Sequence, residues 1–66
     1  MDDYINNILD DLAYQVRRAT DAIEQDYLSQ QQGIYDESAM TELADALNNL
    51  TTSVNQLKSE FNPNNN

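Results

Sequence analysis

Apolar residues return along this chain every three or four positions, first on one stretch and then on another. Ile5, Leu9, Leu12, Val16, Ala19 and Ile23 follow one another at alternating gaps of four and three. After a polar interval, Met40, Leu43, Leu47, Leu50, Val54, Leu57 and Phe61 repeat the pattern in strict alternation of three and four. A seven-residue apolar repeat draws one stripe along a helix and is the mark of coiled-coil or bundle packing. The period of two that a strand would show is lacking. The pattern predicts two helices, from about residue 3 to 32 and from about residue 37 to 61.

The expected boundaries have their own chemistry. Asp2 or Asp3 is placed to cap the first helix, and both put negative charge near its positive dipole end. Gly33, the only glycine, stands where the first helix should stop, as a left-handed residue just past the C-cap. Asp36 is the expected N-cap of the second helix, with Tyr35 and Met40 at the spacing of a hydrophobic staple. Pro63 closes the second helix, because the residue before a proline is biased away from helical geometry. The polar tail 62–66 has nothing to bury and is expected to be disordered.

A turn over 33–36 leaves the helices as antiparallel neighbours. The expected fold is therefore all-α, an antiparallel, coiled-coil-like two-helix hairpin. Its expected core is Leu9, Leu12, Val16, Ala19 and Ile23 against Met40, Leu43, Leu47, Leu50, Val54, Leu57 and Phe61. Centring the turn on Ile34 and Tyr35 sets Ile23 level with Leu47, Val16 with Val54, Leu12 with Leu57 and Leu9 with Phe61. Met1, Tyr4, Ile5 and Ile8 then project past the second helix by ~10 Å. An exposed apolar tip calls for a cover, and dimerisation into a four-helix bundle would supply one. The heptad falters once, at Asp26, where a core residue is due. The apolar positions move to Tyr27 and Leu28, as at a stutter, and Asp26 is expected to turn to solvent.

Size sharpens the case for a partner. With 66 residues the chain is one small domain. A single core of that size rarely contributes more than ~3–5 kcal/mol without a staple. Cysteine and histidine are absent, which removes disulfides and the usual zinc sites. Association with another chain is the remaining support.

Charge narrows what that partner is. Twelve acidic groups face three basic ones, for a net charge of −9. Binding to nucleic-acid phosphates needs Lys and Arg, so direct nucleic-acid binding and anionic membranes are not expected. No apolar run reaches the ~18 residues of a membrane span, and the opening MDDYINN lacks the basic and apolar regions of a signal peptide. The expectation is a cytoplasmic protein whose partner is another protein, with a basic surface among the candidates.

Catalytic constellations are lacking. No His or Cys is present to serve as base or nucleophile, and one glycine cannot build a phosphate loop. Asp2/Asp3 and Asp10/Asp11 are adjacent pairs whose side chains diverge on a helix, so neither pair chelates a metal alone. No cofactor and no enzymatic activity are expected. Tyr4 and Tyr14 fall on outward positions of the first helix, where tyrosine suits a binding interface. With Ile5, Ile8, Tyr27, Leu28 and the pair Arg17 and Arg18, they form the expected partner-binding or oligomer surface. Both arginines should lie outside the seam. They balance charge, pair with a carboxylate of a second copy, or hold an anion. The functional expectation is a non-enzymatic interaction module, of adaptor, assembly-chaperone or inhibitor type. Two alternatives are an acidic phage-type inhibitor or decoy on a basic host surface, and an oligomeric binder of an anionic small ligand.

Overall fold

The computed structural model describes residues 3–61, and within them two helices lie side by side with no strand. Helix α1 runs Asp3–Gln31 and helix α2 runs Glu37–Phe61. The expected Asp2 cap, the Pro63 stop and the tail 62–66 lie outside the described residues. The chain is an antiparallel helical hairpin, with principal extents of 50 × 24 × 12 Å. No helix among the described residues is long and apolar enough to cross a membrane.

The turn is built by the chemistry of its two ends. Gly33 takes φ 73°, a left-handed value that glycine reaches without a Cβ clash. Its N–H donates to the Gln30 carbonyl at 3.0 Å, and the Ile34 N–H donates to the Ser29 carbonyl at 3.0 Å. This pair of bonds is the Schellman closure of a helix C-terminus. Asp36 opens α2: its carboxylate accepts from the Ala39 N–H at 2.9 Å, and its carbonyl accepts from the Met40 N–H at 3.2 Å. The Ser29 hydroxyl donates to the other oxygen of the same carboxylate at 3.1 Å, stitching the end of α1 to the start of α2. Tyr35, expected to staple onto Met40, stays 75% exposed, so the cap is polar rather than apolar.

The seam between the helices departs from the expected one. Its buried residues are Ile8, Gln15, Ala19 and Ala22 on α1 and Ala39, Ala46 and Ser53 on α2. Ile8, Gln15 and Ala22 recur every seven residues, and so do Ala39, Ala46 and Ser53. These rows are mostly short side chains, which let two helix backbones approach closely. No large side chain is fully buried among the described residues.

The register differs too. Ser53 bonds Asp11, and Asn49 bonds Gln15. Val16 therefore stands level with the turn of α2 around Asn48, not with Val54. Carried to the ends, this register sets Phe61 beside the first turn of α1. Tyr4, Ile5 and Ile8 thus do not project past α2 as expected, and Ile8 is only 5% exposed. Asp26 is half-buried rather than turned fully out, and accepts a bond from Gln30 Nε2 at 2.7 Å.

Candidate interaction surface

Helical geometry sorts the side chains flanking this seam onto two faces. At 3.6 residues per turn, Leu9, Leu12, Val16 and Ile23 fall to one side of the Ile8–Gln15–Ala22 row. Asp11 and Arg18 fall to the other. On α2, Leu43, Leu47, Leu50, Val54 and Phe61 lie to one side of the Ala39–Ala46–Ser53 row, and Glu42, Asp45 and Asn49 to the other. Because the helices are antiparallel, the two apolar sides share one face of the hairpin and the two polar sides share the opposite face.

The polar face is a continuous hydrogen-bonded ladder. The Ser53 hydroxyl donates to Asp11, and Gln15 Nε2 donates to the other Asp11 oxygen at 3.3 Å. Gln15 Oε1 accepts from Arg18 Nη1 at 2.8 Å and from Asn49 Nδ2 at 3.4 Å. Arg18 crosses to α2, with Nε 2.7 Å from Glu42 and Nη2 2.8 Å from Asp45. Gln15 is as buried as Ile8, yet no buried side-chain nitrogen or oxygen among the described residues lacks a partner. That matters because an orphaned buried amide would cost more than the bonds it makes contribute.

The ladder sets the protonation behaviour of its members. Hydrogen bonds from Ser53 and Gln15 hold the Asp11 carboxyl below its usual value. The Arg18 guanidinium does the same for Glu42 and is itself held above its usual value by Glu42 and Asp45. Asp36 is lowered chiefly by the Ala39 N–H, with Ser29 adding to the effect.

Arg18 is therefore not outside the seam, as expected; it is half-buried at its polar edge. Arg17 is exposed and makes no ion pair with the described residues. An open groove of about 410 Å³ lies beside Arg18, lined also by Asp21, Gln25, Asp36, Ser38 and Glu42. Its one cation is already engaged by two carboxylates and an amide. An anionic ligand would have to displace those partners and would meet three acidic side chains. Among the described residues, no group of three or more acidic side chains is placed to hold a metal ion.

The apolar face carries what the seam leaves out. Leu9, Val16, Ile23, Leu47, Val54 and Phe61, all expected in the hairpin core, are exposed, with Val16 at 52% and Val54 at 51%. Leu12, Met40, Leu43, Leu50 and Leu57 are half-buried, and Ala19 is buried. Of the expected surface residues, Tyr4, Tyr14, Tyr27 and Leu28 are exposed and Ile5 is half-buried. Tyr27 joins the rim of the apolar face, whereas Tyr14 stands on the polar side. Sequence reasoning missed the polar ladder. Its signal was the seven-residue row of small and amide side chains running parallel to the large apolar one.

No family model matches this chain, and neither the curated proteins nor the solved structures compared with it show significant similarity.

Proposed function

We propose that this chain is a small non-enzymatic protein-interaction module, of adaptor, assembly-chaperone or inhibitor type. It self-associates and engages a partner protein through its apolar and tyrosine-bearing helix faces. The observation that carries the reading is the exposed apolar face. A soluble monomer rarely shows a contiguous apolar patch above ~300–600 Å². Here heptad residues of both helices line one side of a hairpin with extents of 50 × 24 Å. The missing cysteines suit a reducing compartment such as the cytoplasm.

The test is sedimentation and partner capture with the paired substitution Val16→Asp and Val54→Asp. Both side chains are exposed in the hairpin, so the change strikes association first. Loss of self-association and of capture is the expected outcome. Association unchanged by two charges placed on the apolar face would sink the reading.

A second reading, an acidic chain occupying a basic host surface, draws on the net charge of −9. Salt separates the two, because exposed ion pairs weaken as the ~10 Å Debye length at 0.1 M shrinks, whereas apolar contact does not. Binding that collapses in high salt and survives the paired Asp substitution favours the acidic reading.

A further inference from the structure

We infer that the apolar face is covered by a second copy of this chain, laid along its length. The margins Ala13–Thr20 and Ala44–Thr51 are the places where helices of the two copies approach most closely. This rests on the interaction reading above and names the partner.

The first argument is area. A standard stable interface buries ~800 Å² on each partner. The apolar side of a hairpin with extents of 50 × 24 Å is large enough to supply it. Among the described residues the hairpin alone encloses no large side chain fully, so each copy holds half a core and a second half of the same length completes it.

Charge is the second argument. The rows Leu9, Val16, Ile23 and Leu47, Val54, Phe61 contain no ionised side chain. A basic partner finds nothing there to pair with. The apolar rows of a second copy bring no like charge into the contact; the ionised side chains nearest to it, Asp10, Arg17 and Glu24, flank the Ala13–Thr20 margin one turn away and carry both signs.

Shape is the third. The hairpin closes on short side chains at Ala22, Ala39, Ala46 and Ser53. The outer margins of the apolar face repeat that device: Ala13 and Thr20 on α1, Ala44 and Thr51 on α2, each pair seven residues apart and exposed. In the register fixed by Asp11 and Ser53, Ala13 stands level with Thr51 and Thr20 with Ala44. A helix of the second copy can then come as near to either margin as the hairpin's own helices come to each other.

Sedimentation equilibrium on the full chain tests this, with a dimer as the expected mass. Two chains of −9 repel, so raising the salt to about 0.5 M should tighten the dimer. The variant Ala44→Glu, with Thr51→Glu in the same chain, should weaken it at least about tenfold. Ala44→Ser keeps the side chain small and should leave the dissociation constant within about threefold of the parent. A chain that stays monomeric with full helicity overturns the inference. So does a dimer indifferent to the Glu pair, or equally weakened by Ser. If Val16→Asp with Val54→Asp abolishes association while the Glu pair does not, the interaction reading stands and this geometry falls.

Discussion

The hydroxyl of Ser53 donates to the carboxylate of Asp11 across the seam, joining residues 42 positions apart in sequence. This contact fixes which turn of α2 faces which turn of α1. Ser53 is 3% exposed, so a larger residue has no room. Ser53→Leu should destabilise the chain by ~1–3 kcal/mol through overpacking, read from thermal melts at matched concentration. Ser53→Ala should instead raise the Asp11 pKa toward its ordinary 3.8, read by NMR titration, because the hydrogen bond that lowers it most is gone.

Ala46 is wholly enclosed at the middle of α2. Ala46→Leu puts a longer side chain where two backbones meet, and the same ~1–3 kcal/mol loss is expected. Leu47→Ala, one residue on, removes a half-exposed side chain and should cost the isolated hairpin less. The comparison of chemical denaturation midpoints checks the order; the reverse order would mean that Leu47, not Ala46, lines the seam.

Gly33 has nothing within 4 Å of the place a Cβ would occupy. Its φ of 73° is the whole obstacle. Gly33→Ala should therefore cost ~1–2 kcal/mol, the penalty of left-handed backbone for an L-residue. Gly33→Asn should cost less, since Asn tolerates that region. Melting curves of the two variants decide it.

Acid should weaken the hairpin once general repulsion is screened. Asp11, Asp36 and Glu42 all have folded pKa values below their ordinary 3.8, 3.8 and 4.5. A carboxylate lowered by folding contributes stability that is fully present above its ordinary value. That stability is lost as pH falls through the folded value. At about 0.5 M salt, where repulsion among acidic groups is damped, the melting temperature should hold near neutral pH and decline below about pH 4.5. Glu42→Gln should shrink that decline, and an unchanged profile would show that the Arg18 pairing does not couple to folding. Arg18→Gln should likewise lower stability more than Arg17→Gln, since Arg17 pairs with none of the described residues.

How far the sequence could be read follows from what a heptad reports. The spacing of Leu9, Val16, Ile23, Leu47 and Val54 marks an apolar stripe on each helix, which sequence alone reads as a core. It does not say whether the hairpin's own seam is wide enough to bury that stripe. In a two-helix hairpin the seam is narrow, and a broad stripe spills onto one face. Local chemistry was more direct: Gly33 and Asp36 act through neighbouring backbone groups, so sequence alone located the turn. The register was harder. It depends on Gln15, Ser53, Ala22, Ala39 and Ala46 meeting at short range, and none of these carries a strong apolar signal. Arg18 was misplaced for the same reason, since its position beside the seam follows only once Gln15 is known to be in it.

The bonds between the two helices also imply an order of assembly. Moving away from the turn, Ser29–Asp36, Arg18–Glu42, Arg18–Asp45, Gln15–Asn49 and Asp11–Ser53 join residues 7, 24, 27, 34 and 42 apart. Once Arg18 meets Glu42, each contact brings the next within reach, so no later step has a long free loop to close. Such a chain zips from the turn outward, quickly for its length, as local topologies do. The Ser53–Asp11 end should therefore close last and be the first to open, which hydrogen exchange along the two helices would read.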